Sequence, residues 1–306
     1  MAGPDAIFRA YAAEFVDLCI CSYRRREIVD TLKAISQQTG LSPARLHIIV
    51  ADNTFTAEMR DTIAEASKTL GLAITYIHAP ADNISIARNA CLEAAYSSWV
   101  AFLDDDELPT PNWLGELLSE ARRGRWDAVL GPVKAIYSAD VPSWVRAGDF
   151  HSTAPVWVNG QIKSGYTGNV IFRRDLIERA KLRFRVELGK SGGEDSDFFS
   201  RFFEVGGRIG YSPDAVVYEQ VPLGRTSVAW LLRRSFRRGQ SHGSLLARRG
   251  RPLIEIVLAS AKAAFCGAGA ALFFAHAVRR IRFLTRAALH IGVVARLAGF
   301  REITVY

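Results

Sequence analysis

The residues best suited to chemistry stand together in AFLDDDELP (101–109), where an apolar run ends abruptly in Asp104, Asp105, Asp106 and Glu107. Adjacent carboxylates repel one another, and their charge is costly to keep unless a cation offsets it. Mg²⁺ or Mn²⁺ meets that need, because these hard ions take carboxylate oxygens and complete their shells with substrate phosphate oxygens and water. If the run continues as a strand, Asp104 and Asp106 share one face, so one acid can hold the ion while the other meets a ligand hydroxyl. The plain alternative is an acidic loop or helix start held by backbone dipoles. An apolar strand running straight into acids favours a site.

A second acidic group lies in SGGEDSDFFSRFFEVG (191–206), where two glycines precede Glu194, Asp195 and Asp197 and an apolar helical run follows. Glycine permits close backbone approach, and a helix start stabilises carboxylates. An acid near the ion but not ligating it can take a proton from an attacking hydroxyl. Asp195 or its neighbour Asp197 suits that part; the structural alternative is capping of a 196–205 helix by Glu194 or Asp195.

The elements that must position these groups follow from periodicity. Short apolar runs at 16–23, 46–52, 73–78, 99–105 and 127–132 read as strands, and the amphipathic stretches 26–38, 56–70, 85–96 and 112–123 between them read as helices. This alternation predicts an α/β fold with a largely parallel sheet, which binds ligands at the carboxyl ends of its strands. Polar residues stand at those ends: Ser22, Tyr23 and three arginines after the first, Asp52 and Asn53 after the second, and Asp82, Asn83, Arg88 and Asn89 around the start of the third helix. No GxGxxG or GxxxxGK[ST] occurs at these turns, so dinucleotide and P-loop readings lose their main support. From 133 to 220 the helical signal thins, leaving apolar pieces at 168–174 and 215–221 in a mixed second half.

Charge divides the chain of 306 residues near 224. Its net +8 combines a C-terminal stretch from Arg225 with 15 basic residues against Glu255 and Glu302, net +13, and a preceding body of net −5. Arginines at 233–238, 248–251 and 279–282 flank apolar stretches, the pattern of a segment lying on an anionic leaflet. The uncharged run Ala263–Val278 has 16 residues, shorter than the roughly 20 of a spanning helix. The four cysteines, Cys19, Cys21, Cys91 and Cys266, form no CxxC pair, which excludes a disulfide framework or zinc site. The first fifteen residues lack a basic, then apolar leader, so the catalytic part is expected in the cytosol. A nucleotidyltransferase would also end a strand in metal-binding acids, but no GxG or Lys-rich triphosphate loop occurs early in the chain. The basic tail alone would suit a nucleic-acid binder, yet its arginines adjoin aliphatic runs rather than aromatic stacking platforms, so no nucleic acid is expected.

Taken in order, the strand ending in Ser-Tyr-Arg, IIVADN, SIARNACLEAA, FLDDDELP, GNVIFRR, GGEDSDFF and RRSFRRGQS resemble an inverting family 2 glycosyltransferase of the GT-A fold. The resemblance covers about residues 14–245 and is nearest to bacterial β-glucosyltransferases of succinoglycan-type exopolysaccharide assembly. It implies a Rossmann-like, nucleotide-sugar-binding α/β domain over 1–224, with a nucleotide half at 14–132 and an acceptor half at 133–224. A basic, helical, membrane-associating segment follows at 225–306.

The resemblance also implies roles. Ser22 and Tyr23 line the nucleotide pocket, Asp52 contacts uracil, and Arg88 and Asn89 lie near base and ribose. Asp104 and Asp105 face the nucleotide sugar, Asp106 binds Mn²⁺ or Mg²⁺, and Asp195 is the general base with Glu194 beside it. Arg237, Arg238 and His242 are expected at the diphosphate. Ile84 stands where the family often has glycine, and the QxxRW motif of processive synthases is missing, which favours one sugar per encounter. The implied partners are a UDP-sugar donor, a polyprenyl-diphosphate-linked saccharide acceptor and an anionic membrane surface, at the cytoplasmic face of the bacterial inner membrane.

Overall fold

The computed structural model describes residues 15–40, 45–248 and 250–303. Its chain begins with β1 (Val16–Ser22), α1 (Ile28–Ser36), β2 (Leu46–Asp52), α2 (Arg60–Leu70), β3 (Ile74–His78), α3 (Ile84–Ala94) and β4 (Trp99–Asp104). There follow β5 (Glu107–Pro109), α4 (Trp113–Gly124), β6 (Ala128–Leu130), β7 (Val133–Ile136), α5 (Ser143–Gly148), β8 (Trp157–Val158) and β9 (Gln161–Ile162). Next come β10 (Asn169–Arg173), α6 (Arg174–Arg179), α7 (Glu194–Glu204), β11 (Ile209–Tyr211) and β12 (Val217–Gln220). Three long helices close the chain: α8 (Val228–Ala247), α9 (Pro252–Leu272) and α10 (Ala277–Leu297).

These elements form two units. The first comprises the chain up to Lys134 with Thr153–Gly189 and Glu194–Glu219; the second takes Ala135–Ser152, Lys190–Gly193 and the chain from Gln220 onward.

The first unit is built on a seven-stranded sheet in the order β11-β6-β10-β4-β1-β2-β3. The four adjacent strands β4, β1, β2 and β3 run parallel to one another. Alternate residues of β1 enter opposite cores. Val16, Leu18 and Ile20 join Leu32, Ile63 and Trp113 of α1, α2 and α4, while Cys19 joins Cys91 of α3 and Phe198 and Phe199 of α7. A sheet covered on both faces explains why its strands read as nearly continuous apolar runs. Cys21 packs beside Cys19 in the second core, and all four cysteines are free thiols. One strand departs from the expected parallel order: β10 lies antiparallel between β4 and β6, separating the strand at 127–132 from its predecessor.

In the second unit, the backbones of α8 and α10 meet where side chains are absent: Gly239 packs on the Leu289 carbonyl and Gly292 on that of Phe236. The uncharged run 263–278 is not one element. Helix α9 stops at Leu272, and His276 caps α10 by accepting from the Arg279 N–H. Helix α9 instead starts at Pro252, takes in Glu255 and Lys262, and at 21 residues is long and apolar enough to cross a membrane by length and composition. Its small residues Ala259, Cys266 and Ala270 are buried, whereas Leu253, Phe265 and Leu272 are 72–76% exposed.

Candidate active site

Parallel strands β1, β2 and β4 end side by side: Ser22 pairs in register with Asp52, and Cys21 with Asp104. The turn after β1 carries Tyr23, 38% exposed, and then Arg24 in the left-handed region at φ 58°, a conformation that costs free energy in a non-glycine residue and recurs at functional sites. That turn delivers Arg25 onto the acid run. Its guanidinium donates to Asp105 Oδ1 at 3.2 Å and pairs with Asp106 Oδ2. Helix α1 fixes the same loop, Thr31 Oγ1 donating to the Asp105 carbonyl at 3.1 Å.

The acids differ sharply in environment. Asp105 is buried, and desolvation pushes its carboxyl up to about 7, with Arg25 opposing and Asp106 adding to the rise. Partial desolvation also raises Asp104, partly offset by Arg88; its side chain keeps 49% of its surface open. Glu107 is buried, and burial followed by the charge of Asp104 holds it well above the usual carboxylate range. Glu107 Oε2 accepts from the Asp104 N–H at 3.0 Å. Gly168, just before β10, is the close neighbour of both acids: a methyl group there would stand 2.6 Å from Glu107 Oε1 and 3.2 Å from Asp104 Oδ2.

The second acidic group reaches the same place through α3 and α7. Gly192 and Gly193 adopt φ 86° and 90°, left-handed backbone that suits glycine, and α7 then begins with Glu194, Asp195 and Asp197 in its first turn. Arg88 of α3, its side chain only 8% exposed, pairs with Glu194 and lies 4.0 Å from Asp104 Oδ1. The Glu194 Oε2 atom is buried without a hydrogen-bond partner among the described residues. Desolvation, reinforced by Glu194 and opposed by Arg88, pushes Asp195 up to about 6. Asp197 is buried against Arg201 at 2.8 Å and Arg185 at 3.5 Å.

The other expected residues have the following surroundings. Asp52 is fully buried; burial opposes its charge, but hydrogen bonds from Thr54 and the Tyr76 hydroxyl win and hold its carboxyl below the usual range. Asn89 uses both ends of its amide on the Phe184 backbone, donating to the carbonyl and accepting from the N–H, each at 2.8 Å. Arg237 and Arg238 lie on α8 in the second unit, where Arg237 donates to the Ser191 and Gly192 carbonyls and pairs with Glu302. Arg25, Glu107 and Gly168 belong to the site yet had no assigned part in the sequence reading. Their signals were present: a basic run after the first strand, the fourth acid of 104–107, and the glycine opening GNVIFRR.

The donor set at 104–107 is all oxygen, which fits a hard divalent cation. Among the described residues no three or more His, Cys, Asp or Glu gather at ligand spacing. An ion here would therefore draw on one or two carboxylates and on substrate phosphates and water, as Mg²⁺ commonly does.

Comparison with known proteins agrees with this geometry. The family model described as Glycosyl transferase family 2 matches residues 17–180, and that of Glycosyl transferase family group 2 matches 99–298. The chain is 47% identical to succinoglycan biosynthesis protein ExoM of Rhizobium meliloti, over 95% of each chain. It is 25% identical to glucosyl-dolichyl phosphate glucuronosyltransferase of Haloferax volcanii, over 74% of this chain and 75% of that one. Among solved structures, residues 1–349 of S. aureus TarS in complex with UDP-GlcNAc align with TM-score 0.56 at 16% identity, covering 94% of this chain and 93% of that one. The chain spans 44% of the longer TarS structure. That likeness establishes the GT-A fold, and the matches in sequence establish more: the chain is an enzyme and belongs to glycosyl transferase family 2.

Proposed function

We propose that this enzyme transfers a hexose, glucose by its resemblance, from a UDP-sugar to a hydroxyl of a polyprenyl-diphosphate-linked saccharide, with inversion, in exopolysaccharide assembly. The observation that carries this reading is the Arg88 bridge, which ties Glu194 at the head of α7 to the Asp104 end of β4. It brings a candidate base and the acids expected to face the donor sugar to one edge of the sheet. ExoM, named for succinoglycan biosynthesis, supports the polymer class, and TarS, solved with UDP and UDP-GlcNAc, supports a UDP-sugar donor. Family membership also weakens the nucleotidyltransferase and nucleic-acid readings.

In this mechanism Asp195 removes the acceptor proton as the hydroxyl oxygen attacks the face of the anomeric carbon opposite the departing UDP, so an α-linked donor gives a β-linkage. A carboxyl titrating near 6 is ionised at neutral pH yet basic enough for that task. Asp197 is less suited, because Arg201 and Arg185 already claim its carboxylate. Asp104 and Asp105 orient the donor sugar, and Arg25 sets the positions of Asp105 and Asp106. Asp106 would hold Mn²⁺ or Mg²⁺, which when bound supplies positive charge for the leaving diphosphate. Ser22, Tyr23 and Asp52 shape the nucleotide pocket, Asp52 through the hydroxyls it orders. The apolar face of α9 and the arginines of the second unit suit the cytoplasmic leaflet of the inner membrane.

The test is to incubate the protein with a panel of UDP-sugars and Mn²⁺ or Mg²⁺, following donor hydrolysis and transfer into a membrane lipid extract. Transfer from one UDP-hexose, abolished by EDTA and by Asp106→Asn, is expected. Equal transfer in EDTA removes the metal assignment, and no turnover of any UDP-sugar removes the donor assignment.

A further inference from the structure

We propose that a cavity within the second unit binds the phosphate end of a lipid, specifically a diphosphate ester carrying an apolar chain. This rests on the proposed function only in naming the lipid-linked acceptor as the source of that group. The cavity, of about 180 Å³, is lined from α8 by Leu231, Arg234, Ser235 and Arg238, from α10 by Thr285, Arg286 and Leu289, and by Phe150. The α8 residues recur at i, i+3, i+4 and i+7, a single helical face. Three arginines, a serine and a threonine thus line one small space with three apolar residues, and among the described residues none of its lining is acidic.

A cleft of one charge sign with apolar walls concentrates counter-ions. Guanidinium forks match phosphate oxygens two at a time. Solvated surface arginines on a helix normally splay into water, but here the geometry holds one of them in place. The Arg234 guanidinium lies over the Trp230 ring at 5.3 Å, with Arg225 on the same ring at 5.9 Å. That ring stacks on His151 at 5.5 Å, and His151 Nε2 lies 3.1 Å from the Arg225 carbonyl. The aromatic pair is a ledge that preorganises the cation. Several charges on the ligand suit three arginines better than the single charge of a phosphodiester. The walls of Leu231, Leu289 and Phe150 suit the first carbons of an attached chain. Under this proposal Arg238, expected at the donor diphosphate, would serve a different diphosphate.

The test measures binding of farnesyl diphosphate to the full chain in detergent by quenching of tryptophan fluorescence. Parallel arms use inorganic diphosphate and vesicles of phosphatidylglycerol. Saturable farnesyl diphosphate binding is expected, weakened about tenfold by Arg286→Gln and by Arg234→Gln, the loss that one charge-assisted hydrogen bond produces. UDP affinity should stay unchanged in both variants, and UDP-sugar hydrolysis without acceptor should persist, which separates failure of this proposal from failure of the donor reading. Inorganic diphosphate should bind more weakly than the farnesyl ester; equal binding overturns the apolar part. Phosphatidylglycerol vesicles that displace farnesyl diphosphate at equal phosphate concentration would make the site a bilayer headgroup pocket and overturn the acceptor assignment. Farnesyl diphosphate binding indifferent to both substitutions overturns the site itself.

Discussion

The two units set some of their arginines in different surroundings. In the first, Arg88 is buried and Arg25 half-buried, each held among carboxylates. In the second, Arg234, Arg238 and Arg286 line a cavity whose described lining residues include no acid. Apolar residues differ as well. The first unit hides Trp113, Phe198 and Phe199 completely, while the second shows Leu253, Phe265 and Leu272 to its surroundings. A region whose charges are balanced internally needs only its substrate to act. One with exposed apolar side chains beside several arginines would suit the amphipathic, anionic neighbour proposed above.

The largest effect expected from breaking this comparison is on the acidic side. Asp195→Asn should lower the transfer rate about 10²- to 10⁴-fold, the usual contribution of a general base, while UDP-sugar affinity measured by calorimetry stays close to that of the parent. If Asp197→Asn is the dead variant and Asp195→Asn is active, the base lies two residues along. The contrast between the two kinds of arginine is sharpened by stability. Arg88→Met leaves Glu194 buried without its cation and should cost about 3–5 kcal/mol in urea unfolding. Arg286→Gln, exposed on α10, should stay within about 0.5 kcal/mol. Equal losses would erase the distinction.

A smaller effect concerns pH. Burial and the negative charge of Glu194 raise Asp195 to about 6, so kcat/KM should fall as pH drops through that value and the base becomes protonated. Glu194→Gln removes a like charge and frees Arg88 to favour the ionised form. Both changes lower the Asp195 pKa, so the acid limb should move to lower pH. A limb moving upward would contradict the assignment. The smallest effect is at the membrane: Arg279→Gln and Arg280→Gln should each weaken binding to anionic liposomes by about 1 kcal/mol in flotation assays. High salt should remove only that electrostatic part if α9 inserts as proposed, because apolar insertion is not screened. Protein that ignores anionic liposomes at low salt would leave α9 without the neighbour we assign it.

Much of this architecture was legible because local pattern and tertiary role coincide. The five strands read at 16–23, 46–52, 73–78, 99–105 and 127–132 are β1 to β4 and β6, and the four intervening helices are α1 to α4. Their apolar residues face cores on both sides of the sheet, so continuous runs marked them well. What escaped was pairing over long distance. Nothing in NVIFR shows that β10 runs antiparallel beside β4, because register depends on partners some 70 residues away. Residues 135–152, read as part of the acceptor half, group with the C-terminal helices; that segment has no charge or apolar excess to mark it.

At the site, residue type was a better guide than side-chain geometry. The strand ends at Asp104 and turns at 105–106, so it does not carry Asp104 and Asp106 onward along one face, and which acid an arginine pairs with depends on turns such as that at Arg24. Asn89 shows the limit most clearly. The sequence does not show that both hydrogen bonds of its amide go to the Phe184 backbone and fasten α3 to the segment before α7.

The division into units has a consequence for how the enzyme is made. The chain passes back and forth between them, leaving the first at Lys134, returning at Thr153, leaving at Gly189, returning at Glu194 and leaving finally at Glu219. Residues 135–152 therefore emerge from the ribosome well before α8 and α10 exist. At roughly 5–20 residues per second, that wait is on the order of 10 s. During it Val145 and Phe150 lack the helices of their own unit, and a chaperone has time to meet them. The same interleaving means that cutting the chain near 224 does not excise a module. It strands 135–152 and 190–193 in the remaining piece, so the C-terminal helices are better probed by point substitution than by deletion.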